Sequence, residues 1–354
     1  TGNGGVDINS TGAITGLTEG IEATTTIGLI DIDATSVGGG SFGILAASTS
    51  GAIDITTTGT VSGNLNDGIN ATTGGAGTVT INATGSVSGN DDGIAATTVS
   101  GAIVINAAAV TGTLDNGIIA DSTTGTVNIT TSGVVTAGDV GIMTQTNGNA
   151  TIVVGGNINA GENGIVAWDV GGGNYSAGTV DVTVNAGSTV TSTGAFYNMA
   201  LYGTGVSLTL NGNAAGGDGI VIGSLAGVNV DVSGNATFSV GNAMTLTAQG
   251  GAVTFDQTAG SISTTAPGGA GVLINGSGTV TVNTTAGAGI TGDGGGLLIT
   301  SVGDVTGTLN GNLTSASGDA LRVNVTGAGL VNLVVGGTVD GGSGVGDDGI
   351  DITT

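Results

Sequence analysis

The stretch Thr78-Val-Thr-Ile-Asn-Ala-Thr-Gly-Ser-Val-Ser-Gly-Asn-Asp-Asp-Gly-Ile-Ala-Ala-Thr-Thr98 decides the fold. Thr78 to Ala83 alternates strictly, which places Val79, Ile81 and Ala83 on one face of a half-buried strand. Gly85 reads as a turn, and Ser86-Val87-Ser88 as a second short strand with Val87 inward. A second turn follows at Gly89-Asn-Asp-Asp-Gly93, where Gly and Asx residues favour tight corners. Ile94 and Ala96 open a third strand. Three short strands and tight corners, repeated at this period, describe one coil of a parallel β-helix, whereas a propeller blade needs about 40 residues or more.

The same grammar extends outward in both directions. A Gly followed by an apolar residue recurs, as at Gly20-Ile21, Gly43-Ile44, Gly68-Ile69, Gly117-Ile118 and Gly349-Ile350. Fourteen such anchors lie 22 to 31 residues apart, and three depart from the pattern: Gly194-Ala195, Gly241-Asn242 and Gly318-Asp319. The expected fold is all-β: a single-stranded right-handed parallel β-helix (β-solenoid) of about 14 coils of about 25 residues. Capping helices are not expected, because Gly, Thr, Asn and Val are poor helix formers. Spacings near 30 residues read as small loops leaving a corner. The domain organisation reads as one continuous β-solenoid over residues 1–354, beginning and ending in mid-coil.

Read tail to head, Gly349-Ile-Asp-Ile-Thr-Thr354 followed by Thr1 to Ile21 aligns without insertion on Gly68 to Ile94. Val6 then falls on Val79 and Ile8 on Ile81. The expectation is a head-to-tail homopolymer in which the two ends close a shared coil by strand addition. Its interface residues are Val6, Ile8, Ile14, Ile21, Ile350 and Ile352. Such a contact is heterologous and does not close on itself, so the product is an open fibre.

Composition narrows the function classes. The chain has 25 acidic residues, one Arg, no Lys, no His and no Cys, for a formal net charge of −24. Nucleic acid is excluded as a partner, since neutralising phosphates takes arrays of Lys and Arg. Anionic membrane surfaces are disfavoured for the same reason, and no run of 18 apolar residues suggests insertion. An enzyme is not expected: most acid–base and nucleophilic chemistries lack a base or nucleophile here. An Asp pair acting on a glycoside is the one route left.

The acidic corners are the candidate metal ligands. Glu19, Asp67, Asp92, Asp218 and Asp348 each precede an anchor Gly. Asp67 and Asp92 belong to neighbouring coils, and Asp348 and Glu19 become neighbours only across the end-to-end junction. A hard cation such as Ca²⁺ takes oxygen ligands of this kind, but Asp-Gly is also simply a good turn. The candidate Ca²⁺ ligands are therefore Glu19, Asp67, Asp92 and Asp348, with no other cofactor expected. Trp168, Tyr197 and Tyr202 are rare aromatics that read either as a sugar-stacking patch or as caps on the core beside a loop.

The Gly/Thr/Asn-rich coils, the x-Gly-Ile corners and strands such as Gly77-Thr-Val-Thr-Ile-Asn82 resemble the β-helical passengers of bacterial autotransporters and filamentous adhesins. The resemblance implies export across a Gram-negative envelope and an extracellular or cell-surface location. Two functional readings follow. One is a structural subunit of an extracellular bacterial fibre or surface layer, with self as partner. The other is a segment of a large adhesin that binds a host surface or glycan through loops around Tyr197 or Gly341 to Asp348. A covalent tandem array of the module would look like the fibre.

Overall fold

The computed structural model describes residues 3–169 and 178–354. Among them there are strands, turns and bends but no helix. The chain forms two compact units, Thr1–Thr179 and Val180–Thr354. Each is a stack of parallel β-coils, with about 14 coils in all.

In the first unit the alternation seen in the sequence becomes continuous columns. Ile32, Ile55, Ile81, Ile105, Ile129 and Ile152 pair in register from coil to coil. Ile44, Ile69, Ile94, Ile118, Ile142 and Ile165 form a second column. Both columns are buried. β-Branched side chains suit this pleated, two-sided packing. Each coil stacks its apolar face against the coils beside it, as in other solenoids.

One local expectation fails. Val79–Gly89 is a single strand, not two strands broken by a turn at Gly85. It pairs with both Ile53–Thr57 and Val61–Gly63, and its other pairing shifts register between Ala107 and Ala109. The strand bends here with hydrogen bonding resumed on both sides. Gly85 serves close stacking: an added Cβ would lie 1.9 Å from the Gly59 carbonyl oxygen.

A buried hydroxyl column runs beside the isoleucines. Thr25, Ser48, Thr73, Thr98, Ser122 and Thr146 pair in register, all with side chains inside. The Thr98, Ser122 and Thr146 hydroxyls donate to the carbonyls of Gly77, Gly101 and Gly125, at 3.1, 3.1 and 2.7 Å. They also accept the N–H groups of Gly101, Gly125 and Gly148 in their own corners. These bonds let a polar group sit in the interior at little cost.

In the second unit Val182, Leu208, Val230, Phe255 and Val282 form the matching inner column. Faces merge into longer strands, Thr189–Leu210 and Asn213–Val232. Their mutual register shifts between Ser192 and Tyr197. The 31-residue spacing before Gly349 carries the expected corner loop, with Val345 fully exposed. The loop expected after Gly164 includes residues 170–177, which lie outside the described residues.

Candidate functional site

The structure brings Asp67 and Asp92 together, and it employs them in the corners themselves. Asp67 Oδ1 accepts the Asp92 backbone N–H at 3.2 Å, and its Oδ2 accepts Asn70 Nδ2–H at 2.7 Å. Asp92 Oδ1 accepts the backbone N–H and the Nδ2–H of Asn116, both at 2.9 Å. The same device ties Asp319 Oδ1 to the Asp348 N–H at 2.8 Å. A corner carboxylate thus satisfies the backbone donor of the next coil. No group of three or more acidic, His or Cys side chains among the described residues surrounds a common metal position. The Asp67, Asp92 and Asp319 carboxylates are thus engaged in turn hydrogen bonds. Glu19 and Asp348 lie in different units, at half-buried and exposed corners respectively.

Two acidic columns escaped the sequence reading. Asp7, Asp31 and Asp54 stand in register on an outer face. Asp91, Asp115, Asp139 and Glu162 occupy the position two residues before successive anchors. The backbone joins them, Asp139 N–H to Asp115 O at 3.0 Å and Glu162 N–H to Asp139 O at 2.9 Å. Like charges one strand spacing apart, about 4.8 Å, repel one another.

Burial and neighbouring carboxylates raise Asp31, Asp67, Asp92, Asp115 and Asp139. Burial, a side-chain hydrogen bond with Glu162 and the Glu162 charge push Asp139 up to about 6. Burial alone raises Asp121 to about 6, and the Asp121 Oδ1 is buried without a partner. Burial also lifts Asp92 to about 6, against the pull of its hydrogen bonds from Asn116. Asp67 and Asp115 move upward too, again chiefly through burial.

A folded-state pKa above the unfolded value means that protonation favours the fold. The stabilisation is complete below the ordinary carboxylate range and is lost as pH rises through about 6. Tm measured by circular dichroism should therefore be higher at about pH 5 than at about pH 7.5. Asp121→Asn and Asp139→Asn should flatten that slope, which separates local carboxyls from general charge repulsion. A Tm that is flat, or higher at the alkaline end, would contradict the assignment.

The residues expected to form a polymer contact lie in the outermost coils. Val6, Ile8 and Ile14 are half-buried inner-face positions of Val6–Gly16. Ile350 and Ile352 belong to Ile350–Thr353 and are each 46% exposed. They pair on one side only, with Leu321 and Val323. Ile21 differs from the rest: it is 5% exposed and already packed within its own unit, paired with Ile44. Thr1 and Gly2, included in the expected shared coil, lie outside the described residues. Arg322, half exposed, makes an ion pair at 3.8 Å with the buried Asp319. No helix among the described residues is long and apolar enough to cross a membrane.

No protein-family model, no characterised protein and no solved structure matches this chain.

Proposed function

We propose that this chain is a structural, non-enzymatic β-solenoid subunit of an extracellular bacterial fibre or surface layer, and that copies stack head to tail. The supporting observation is the stacking itself: parallel coils pair in register and bury continuous apolar columns between neighbours. Val331–Val335, Val339–Asp340 and Ile350–Thr353 continue that pairing with the preceding coil. A second copy offers the matching pattern: Val6 and Ile8 continue the column of Val331 and Leu333, and Ile14 continues that of Val339. Main-chain hydrogen bonds and apolar burial would both be gained at such a junction.

The test is negative-stain microscopy and sedimentation of the purified chain beside the Ile350→Asp, Ile352→Asp double variant. Unbranched filaments from the first and dispersed single molecules from the second are the expected pair of results. Dispersed molecules from both, at every protein concentration tried, would sink head-to-tail stacking. Repeating the assay with EDTA tests Ca²⁺ at the junction of Asp348 and Glu19, and unchanged filaments remove the cation from the account.

A further inference from the structure

We infer that the second unit carries a binding cleft for a neutral pyranose sugar, built from Tyr197, Asp218, Asn242 and Thr245. The inference stands apart from head-to-tail stacking, since the cleft lies on the flank of one unit and needs no second copy.

The cleft forms where the repeat departs from its own pattern. Two of the three irregular anchors, Gly194-Ala195 and Gly241-Asn242, flank the regular Gly219-Ile220. Strand register slips between Ser192 and Tyr197, and again between Asp218 and Ile220. Between the slips Tyr197 pairs with Asp218, and Asp218 with Val240. Gly241 turns at a φ of 63°. A Cβ at that glycine would lie 2.5 Å from Asp218 Oδ1, so glycine there leaves room for the carboxylate. The resulting hollow measures about 310 Å³ and is lined by Tyr197, Asp218, Val221, Gly241, Asn242 and Thr245. That volume sits at the small end of ligand pockets.

The lining groups are complementary in kind. Asp218 Oδ1 accepts the Gly219 N–H at 2.8 Å, which holds the carboxylate and leaves Oδ2 as an acceptor for a ligand. Asn242 Oδ1 accepts the Ala270 N–H at 2.8 Å, and its Nδ2 donates to Thr245 Oγ1 at 3.1 Å. The Thr245 hydroxyl hydrogen and the second Asn242 N–H are then donors toward a ligand. Beside them stands an aromatic ring. Tyr197 is 41% exposed and its neighbour Phe196 is 52% exposed, in a chain with only 2% aromatic residues. Phe238 and Phe255, by contrast, are buried in the core.

An exposed ring next to a carboxylate acceptor and two donors matches one ligand chemistry well. A pyranose offers vicinal hydroxyls that both donate and accept, and a C–H face that packs on an aromatic ring. Charge selects further. Asp218 and the net charge of −24 repel carboxylated sugars such as uronic and sialic acids.

Saturation-transfer NMR tests this with methyl β-galactopyranoside, methyl β-glucopyranoside and N-acetylneuraminic acid, each at about 10 mM because a one-sugar site binds in the millimolar range. Saturation should reach ring C–H protons of a neutral glycoside and not N-acetylneuraminic acid. Tyr197→Ala and Asp218→Asn should each weaken binding about tenfold, equivalent to 1.4 kcal/mol. Tyr197→Phe should retain binding, because it keeps the ring. Circular dichroism of the variants checks that the stack survives, and Asn at position 218 can still accept the Gly219 N–H. The inference is overturned by absence of transfer to both neutral glycosides, by transfer that either substitution leaves unchanged, or by a preference for the anionic sugar.

Discussion

Replacing Gly93 by alanine should destabilise the first unit by about 2–3 kcal/mol, the upper part of the range for overpacking. Its backbone needs no left-handed conformation, so the effect comes from space alone. An added Cβ would lie 2.3 Å from Val110 Cγ1 and 2.6 Å from the Gly117 carbonyl oxygen. The valine has limited rotamer freedom, and the carbonyl belongs to the next coil's own hydrogen-bonded corner. Neither yields without shifting that coil. Alanine also lowers the entropy of the unfolded chain, a gain of about 0.4–1 kcal/mol that is too small to compensate. Gly12→Ala is the control, because nothing lies within 4 Å of a Cβ there. Urea midpoints should fall for the first variant and hold or rise for the second. Equal midpoints would show that the anchor glycine is not a close-approach site.

Ile105→Ala should cost about 2–5 kcal/mol, the range for truncating a fully buried isoleucine. Ile105 is 0% exposed and lies between Ile81 and Ile129 in its column. The cavity would touch both flanking coils, and neither can collapse into it while its own corners stay tied. Ile352→Ala offers the contrast: at 46% exposure the same truncation should cost under about 1 kcal/mol. Because each coil contacts only its neighbours, the lesion should also be local. Amide exchange ought to rise first in the strands of Ile81, Ile105 and Ile129, and a uniform rise across both units would argue against stacking by independent coils.

Much of this architecture is legible in the residues. The columns through Ile81 and Ile94 follow from alternation and a steady period, because a period of two has only one way to hide its apolar side. Gly85 is misread for a physical reason: a glycine required by close backbone approach and a glycine that makes a turn look identical in one dimension. Asp67 and Asp92 are correctly placed in adjacent corners. Their employment depends on which N–H lies above each carboxylate, and that is a three-dimensional fact. The column from Asp91 to Glu162 emerges only when coils are aligned two residues before the anchor. Thr98 and Ser122 hide behind the ordinary rule that hydroxyls face water. At the cleft, Gly194-Ala195 and Gly241-Asn242 mark the place, but side-chain volume and the register slips decide that it is concave.

The hydroxyl column also gives the stack a sense of travel. Thr98, Ser122 and Thr146 each pass a hydrogen backward, to a carbonyl in the coil that precedes them in the chain. Asp67 and Asp92 complete the pattern by receiving an N–H from the coil that follows. In both cases the later coil brings the donor and the earlier one holds the acceptor in place. Backbone bonds between coils run both ways, as when the Ile94 and Ile118 N–H groups reach forward to the Gly117 and Gly141 carbonyls, but the bonds of these columns run one way. A run of such coils therefore has polarity: its first and last faces are not chemically equivalent.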